Sequence, residues 1–509
     1  MNNQCNQKKP PLTPPKAENF LPLGKGGRWA ILLLLLLFVG ICFETRADDS
    51  SDSIMTLRKQ PVKAGVEIVG LNLGVWAVDR YVANGDFARI SWKTMRHNLK
   101  TGFVWDNDQF VTNLFAHPYH GGLYYNAART NGMSIGQSAL FATGGSLMWE
   151  FLMENELPSL NDFIATPVGG LGLGEIAFRL SNLLIDSRTG GWERFGRELL
   201  AFTVNPVQGV NRLISGEAWK MHTYSGKAIE SQPIRFTVSG GYRGLYDSRD
   251  TRIDNAGYLD FGLLYGDIFS RENERPYDAF TIGFTMNMLT KQPVFSNINL
   301  VGALWGKTVP NRNPKLDMRW GVYQHFDYYN SNTIVNEPNT DMYRLAEAAA
   351  FGLGGQLMYR FTDRTAFVSS AFLNAVLLGG SITDYYKVDE RDYNISSGFG
   401  SKLNLNMVIS EKIGLSVNAE NYQFYTWNPS DDNDPEQQSG SSNPKYPNLR
   451  GDEGHTSFTV IKQSFKYAFK KRYFVTASSS VYLRYSNYVA YPNVHTEIFD
   501  SRVGIGVYF

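Results

Sequence analysis

The last nine residues, Ser501–Phe509, read S-R-V-G-I-G-V-Y-F, and their polarity alternates with a period of two. Successive side chains of a strand point to opposite faces, so Val503, Ile505 and Val507 share one face. The opposite face carries Arg502 beside glycines and a tyrosine. One face of this strand is therefore wholly apolar, and the other is polar or small.

The same alternation recurs along the second half of the chain, from about Pro233 onward. Lipid accepts apolar side chains, whereas a barrel lumen accepts charges and amides. The pattern therefore predicts a mainly β protein, with a transmembrane antiparallel β-barrel of about twelve strands. The predicted strands lie near residues 233–247, 255–267, 278–290, 295–309, 316–331, 345–361, 365–382, 393–410, 413–428, 455–470, 471–488 and 496–509. A barrel of this size is narrow, and the side chains expected to fill or line it include Arg319, Lys402, Glu420 and Arg484.

The connections between these strands alternate in length. Three of them are tight, at residues 362–364, 411–412 and 470–471. The intervening ones are long, at residues 331–344, 383–392 and 429–454. This alternation is typical of periplasmic turns and extracellular loops, and it predicts that Phe509 lies on the periplasmic side. The stretch 268–277 does not fit, because it is long where a short turn is expected.

The closing strand resembles the last strand of Gram-negative outer-membrane β-barrels, whose terminal aromatic residue is recognised by the assembly machinery. The resemblance implies two partners: the barrel assembly machinery, through the strand that ends at Phe509, and outer-membrane lipid. The formal net charge of +1 gives no strong field, so we predict no nucleic-acid partner.

The first 47 residues have the features of a secretory signal peptide. Lysines and an arginine precede an apolar run from Trp29 to Phe43, and Thr45-Arg46-Ala47 follows. We predict cleavage near Ala47, and a retained membrane anchor is the alternative. Both cysteines of the chain lie in this leader, so the mature protein would have no disulfide.

Residues 48–220 are predicted to form a helical domain, because apolar residues recur there at spacings of three and four. Small residues such as Gly170 and Gly174 follow the same spacing, which lets two helices approach closely. We predict a helical hairpin, with one helix over 134–154 and the next beginning at Ser159. The domain would lie on the periplasmic side of the barrel (residues 233–509) or plug it.

If the protein has a catalytic site, we predict that it lies in this helical domain. Glu150 and Glu154 would share a helix face, and such a pair needs a cation or a shared proton. His117 and His120 could act as acid and base or bind a metal. The alternatives are carboxylates that are solvated or paired with arginines, and histidines that cap a helix. The catalytic candidates are His117, His120, Glu150, Glu154 and Asp162, and we predict neither a metal nor a cofactor.

Several motifs of this region occur together: H-P-Y-H-G-G from His117, W-E-F-L-M-E-N-E from Trp149, and G-G-L-G-L-G-E-I-A-F-R from Gly169. Over residues 105–219 they resemble an uncharacterised family of Gram-negative secreted proteins, catalogued only as a domain of unknown function. The resemblance implies an outer-membrane protein and gives no activity. The residues of the motifs expected to have structural roles are Trp149, Asn161, Gly170, Gly174, Glu175 and Arg179.

Two functions remain open from the sequence. The leading hypothesis is a non-enzymatic outer-membrane barrel that forms a gated or narrow pore or supports the envelope. The alternative is an outer-membrane enzyme that acts on lipid or lipopolysaccharide, with His120 as the base and nearby carboxylates as orienting or metal-binding groups.

Overall fold

A computed structural model describes residues 54–105, 108–248, 253–270, 275–288, 292–331, 343–385, 392–427 and 451–509. The predicted signal peptide at residues 1–47 and most of the predicted surface loop at residues 429–454 lie outside the described residues.

The second half of the chain forms a closed barrel of twelve antiparallel strands, in which β1 pairs with β12 and every other strand pairs with its neighbours in sequence. The predicted strand number and fold class are therefore confirmed. The strands are β1 (Ile234–Asp247), β2 (Ile253–Tyr265), β3 (Phe280–Met288), β4 (Phe295–Thr308), β5 (Leu316–Ser331), β6 (Tyr343–Thr362), β7 (Thr365–Ile382), β8 (Tyr393–Ile409), β9 (Ile413–Thr426), β10 (Gly454–Ala468), β11 (Tyr473–Tyr488) and β12 (Val494–Tyr508).

The two faces of the strands follow the predicted polarity. On β12, Val503 is 58% exposed and Ile505 is 61% exposed on the outer wall, whereas Arg502 is buried in the lumen. The alternation continues on β5, where Trp320 lies outside and Arg319 is buried inside. The outer wall is thus apolar and the lumen polar, as the sequence predicts.

The barrel has a turn end and a loop end. The turn end holds the short connections at 363–364 and 410–412 together with Phe509, whose backbone N–H donates to the carbonyl of Phe236 (2.9 Å). The opposite end, which holds the connections after β5, β7 and β9, is the loop end. The exceptional β2–β3 connection extends the sheet, because the N–H of Tyr277 donates to the carbonyl of Ala303 on β4 (2.6 Å).

Seven α-helices precede the barrel within the described residues: α1 (Pro61–Tyr81), α2 (Trp92–Thr101), α3 (His117–Arg129), α4 (Ile135–Met148), α5 (Leu160–Leu184), α6 (Gly191–Val204) and α7 (Pro206–Ser215). Two π-helical segments, Thr112–Ala116 and Trp149–Met153, adjoin α3 and α4. Ser91 and Ser134 start α2 and α4 with capping boxes, and Ser159 caps α5. We call these helices and the π segments together the helical unit.

Helices α3 and α5 pack at the closest distance their backbones allow. A Cβ on Gly170 would lie 2.4 Å from the carbonyl carbon of Gly121, and one on Gly174 would lie 2.7 Å from the ring of Tyr125. Only glycine fits at these crossings, which confirms the prediction that the small residues serve helix packing. Both α1 and α5 are long and apolar enough to cross a membrane, but α5 is mostly buried against its neighbours.

The helical unit lies against the outer wall of the barrel. Gln324, which points outward from β5, donates to the carbonyl of Val168 in α5 (2.6 Å). Tyr393, outward on β8, accepts a hydrogen bond from Asn113 (2.6 Å) and meets the ring of Phe110 (5.4 Å between centroids). The described helices are therefore outside the lumen, and the predicted helical plug is wrong for this part of the chain. An apolar strand face has the same sequence pattern whether lipid or a helix covers it.

Candidate functional site

Three of the predicted catalytic candidates converge in the helical unit. His117 begins α3, Glu150 lies in the second π segment, and Asp162 lies in the first turn of α5. The Nε2 atom of His117 is 3.4 Å from Oδ2 of Asp162. One ligand atom from each of the three side chains lies within 4.8 Å of the other two. Both carboxylates are almost fully buried, so we call this group the His117–Glu150–Asp162 cluster.

The N-terminus of α5 orients both carboxylates of the cluster. The backbone N–H of Ser159 donates to Oε2 of Glu150 (2.7 Å), and the Ser159 hydroxyl accepts from the N–H of Asp162 (3.2 Å). The amide of Asn161 donates to Oδ1 of Asp162 (3.1 Å), which gives this motif residue its positioning role. The start of a helix favours negative charge, so this position holds two acidic groups at low cost.

The segment after α4 departs from the predicted helix. The chain becomes π-helical at Trp149, and Glu154 already has an extended backbone. Asn98 of α2 holds this exit by donating to the carbonyls of Glu154 (3.2 Å) and Glu156 (2.7 Å). The prediction that Glu150 and Glu154 share one face of an α-helix is therefore wrong, because the helix ends between them.

The two glutamates nevertheless influence each other. Burial, followed by the negative charge of Glu150, raises the pKa of Glu154 well above its usual range. A raised pKa favours the protonated form of the Glu154 carboxyl. A protonated Glu154 beside Glu150 corresponds to the shared proton that the sequence analysis gave as one way to accommodate two neighbouring glutamates.

His120 has an aromatic environment. Its ring lies on Tyr124 (4.4 Å between centroids) and meets the buried Trp149 edge-on (5.4 Å). Burial and the nearby His117 lower the pKa of His120 to about 3, so its imidazole is neutral at pH 7. Within the described residues, no hydrogen bond joins His120 to a predicted carboxylate, and its buried Nε2 has no partner. His117, and not His120, is the histidine that faces a carboxylate.

A second buried charge cluster fixes the helical unit to the barrel. Glu175 of α5 accepts from Arg129 (2.8 Å), Arg179 (2.9 Å) and the hydroxyl of Tyr125 (2.7 Å). Arg179 also pairs with Asp278 in the β2–β3 connection (3.0 Å). The arginines thus neutralise Glu175, and not Glu150 or Glu154 as one alternative from the sequence had it.

The loop-end half of the lumen is filled by an aromatic layer: Tyr329, Tyr343, Tyr422, Phe458 and Tyr482, all at most 4% exposed. The rings of Tyr343 and Tyr482 stack at 4.1 Å. Tyr329 on β5 and Tyr482 on β11 come from opposite walls of the twelve-strand barrel, and their centroids are 6.4 Å apart. Side chains therefore bridge the whole lumen at this level.

Ion pairs surround the aromatic layer. Lys402 contacts Asp327 and Glu347 (3.0 Å to the latter). Asp500 accepts from Arg243 (2.9 Å) and Arg502 (2.7 Å). The sequence placed Lys402 in the lumen correctly, but it missed these partners. The two-residue alternation along a strand shows which side chains face the lumen. Which of these side chains pair with one another across the lumen depends on how the barrel closes.

Below the aromatic layer, towards the turn end, the lumen holds a cavity of about 630 Å³. Its walls carry serine, threonine, asparagine and lysine side chains from β7 to β11, and Asp260 and Thr285 from β2 and β3. We call this space the lumen cavity.

The barrel half of the chain is similar to solved outer-membrane structures. The NanC porin (10% identity, TM-score 0.25) covers 53% of this chain and 98% of its own. The KdgM porin (8%, TM-score 0.22) covers 53% and 98%. OmpT, an outer membrane protein of Vibrio cholerae (9%, TM-score 0.22), covers 55% and 99%. With TM-scores this low, the barrel assignment depends on the strand pairing of this chain alone.

A search of curated proteins finds no match to this sequence. The helical unit is the part with a recognised relationship, as the motifs between Trp105 and Trp219 predict. Residues 102–207, which include the whole His117–Glu150–Asp162 cluster, match the family model described as a domain of unknown function, DUF3943.

Proposed function

We propose that the protein is an outer-membrane β-barrel whose lumen is sealed, and which holds the helical unit at the membrane. The outer wall supports a membrane position, because it exposes large apolar side chains that only lipid accommodates. They include Leu353, Leu373, Leu403, Leu415, Val503 and Ile505, each at least 42% exposed. A water-soluble barrel would leave a large apolar patch of this kind in contact with solvent.

Aromatic residues flank this apolar band at both ends. Phe361, Phe469 and Tyr473 are exposed at the turn end, and Tyr425 and Tyr485 are exposed near the loop end. Transmembrane barrels place aromatic girdles of this kind at the two membrane interfaces. The arrangement supports a barrel that crosses the membrane along its strands.

The sealed lumen depends on one observation, the contact between rings from opposite walls. Tyr329 and Tyr482 meet across the full width of the barrel, and Arg243 on β1 reaches across to the hydroxyl of Tyr343 on β6 (2.9 Å). These contacts between almost fully buried side chains support a lumen that the described residues close at this level. We infer that the barrel serves as an anchor and support, not as an open pore.

Conductance of the purified protein in planar bilayers tests this proposal. The wild-type protein is expected to give no steady open-pore current. The double variant Tyr343→Ala with Tyr482→Ala removes two stacked rings and is expected to conduct. Tyr425→Ala with Tyr485→Ala, on the outer wall, is the matched control and should remain silent. A steady wild-type current would overturn the sealed lumen.

A second function is favoured by the His117–Glu150–Asp162 cluster, and we propose it as the alternative. One imidazole nitrogen and two carboxylate oxygens are ligand atoms of the kinds that bind divalent metals, zinc among them. Without a metal, the contact between His117 and Asp162 provides an oriented base. Because the helical unit lies on the lipid side of the wall, the substrate would be a membrane lipid or lipopolysaccharide.

Two measurements test the enzyme alternative. The first is zinc content after incubation and desalting, for which His117→Ala and Asp162→Asn should bind less metal than the wild type. The second is envelope lipid composition in cells that express either the wild type or His117→Ala. Identical lipid profiles with equal amounts of folded protein would rule out a lipid-modifying role, and His97→Ala on exposed helix α2 is the control variant.

A further inference from the structure

Two lysines in the lumen cavity have no acidic partner. Strand β10 presents Lys462, Ser464 and Lys466 to the lumen, because they alternate with outward residues and pair with inward residues of β11. Within the described residues, Lys462 makes no ion pair or hydrogen bond. The ammonium group of Lys466 lies over the ring of Phe474, 5.2 Å from the centroid, and makes no ion pair within the described residues.

The fully buried cations of the lumen have partners. Arg502 pairs with Asp500 (2.7 Å) and with Asp260 (2.8 Å). Arg319 donates to the carbonyl oxygens of Ile268 (2.9 Å) and Ser270 (3.2 Å). Lys402 is neutralised by two carboxylates, as described above. Within the described residues, Lys462 and Lys466 therefore leave positive charge that no carboxylate pairs with directly, in a cavity that is enclosed on most sides by the barrel wall.

Hydroxyl groups surround these lysines. Ser480 lies opposite Lys462 on β11, and Ser478 lies opposite Ser464. The hydroxyls of Ser464 and Ser416 share a hydrogen bond across β9 and β10. Ammonium and hydroxyl groups donate hydrogen bonds to anions, so this wall of the cavity is built as a set of donors.

We propose that the lumen cavity binds a small polyanion, which enters from the turn end and contacts Lys462 and Lys466. The aromatic layer closes the opposite side, while the cavity extends to the exposed Arg235 at the start of β1. Four residues of strand separate the two lysines, about 13 Å between Cα atoms. That spacing suits a ligand with several anionic groups along its length.

A partly buried charge without an ion-pair partner is less well solvated than one in bulk water, and a bound polyanion offsets that cost for both lysines. Neutral solutes would not, and cations would be repelled. The inference rests on the proposed sealed barrel only for the direction from which the ligand enters. A conducting barrel with these lysines intact would still bind the ligand. A conductance result that contradicts the sealed lumen would therefore not contradict polyanion binding, and the reverse also holds.

Isothermal titration of the full-length protein, folded in detergent micelles, tests the proposal with tripolyphosphate as the probe. We expect saturable binding at one site per barrel. Lys462→Gln should weaken binding at least tenfold, Lys466→Gln several-fold, and the double variant should abolish it. Lys470→Gln, in the exposed β10–β11 turn, is the matched control and should bind as the wild type does.

Three results would overturn the proposal. One is the absence of tripolyphosphate binding to the folded wild type. Another is an equal loss of affinity in Lys470→Gln, which would indicate general surface charge. The third is equally tight binding of inorganic phosphate, which would contradict the two-lysine contact. Heat-modifiable electrophoresis shows that each variant is folded, and Lys462→Met provides a second substitution if Lys462→Gln does not fold.

Discussion

The helical unit and the barrel both bury charges, but they do so in different ways. In the lumen, the buried carboxylates pair with cations, and Asp500 pairs with both Arg243 and Arg502. In the helical unit, Glu150 and Asp162 face a single histidine. Balanced pairs stabilise a fixed structure, whereas an excess of acidic groups beside a histidine is the arrangement expected where protons or metals bind. The comparison distinguishes the paired charges of the lumen from the group of side chains that the enzyme alternative would use.

The largest effect is expected when Arg243 and Arg502 lose Asp500, the carboxylate that they share in the lumen. Asp500→Asn leaves Arg243 and Arg502 buried without that carboxylate, at a cost of about 3–5 kcal/mol in the free energy of unfolding. Urea unfolding followed by heat-modifiable electrophoresis measures the loss. Asp317→Asn is the control, since the Asp317–Arg360 pair is 34% and 44% exposed and should change stability by less than about 1 kcal/mol. Equal effects of the two substitutions would contradict a supporting role for the lumen pairs.

A smaller and more local effect is expected in the helical unit. Glu175→Gln leaves Arg129 and Arg179 without their shared acid, which should destabilise the unit by about 2–4 kcal/mol and loosen it from the barrel. Limited proteolysis should then cleave the helical unit while the barrel keeps its folded electrophoretic mobility. Glu193→Gln removes a half-exposed partner of Arg197 and should leave the protease pattern unchanged. If the barrel unfolds together with the helices, the two regions are not separable.

Backbone contact provides a third test. Gly170→Ala forces a methyl group against the backbone of Gly121 and should cost about 1–3 kcal/mol. Gly144→Ala lies in the neighbouring helix α4 with nothing within 4 Å, and it should stabilise by up to about 1 kcal/mol. Thermal unfolding monitored by the circular dichroism signal of the helices distinguishes a destabilising substitution from a stabilising one. A neutral Gly170→Ala would mean that α3 and α5 separate easily.

The smallest expected effect is a pH dependence confined to the helical unit. Burial and Glu150 raise the pKa of Glu154, so the folded protein holds this proton more tightly than the unfolded chain. The resulting stability is fully present below the unfolded pKa and is lost as pH rises through the folded pKa. Glu154→Gln should flatten the decline of helical-unit stability above about pH 4.5, the ordinary glutamate value. Glu230→Gln, at an exposed position away from Glu154, is the control, and an unchanged slope in Glu154→Gln would contradict the assignment.

The fold of the barrel could be predicted in detail. The twelve strands lie within a few residues of their predicted positions, because a period of two with one apolar face persists wherever a strand has lipid or protein on one side and polar groups on the other. The sequence also predicted a helix that begins at Ser159 and small residues that let helices touch, but the partner of Gly170 and Gly174 is α3 and not the preceding helix α4 of the predicted hairpin. Of the catalytic candidates, the sequence contained His117, Glu150 and Asp162 without indicating that these three would meet.

The sequence by itself determined which residues form strands and helices, which face of each strand is apolar, and where small residues allow helices to touch. The tertiary structure alone decided that the helical unit lies on the outer wall, that Glu175 pairs with Arg129 and Arg179, and that rings from opposite walls meet across the lumen. The physical reason is the distance along the chain over which each kind of information acts. Periodicity records the environment of each side chain along one element, whereas a contact across the barrel depends on how the sheet closes and on what covers its outer face.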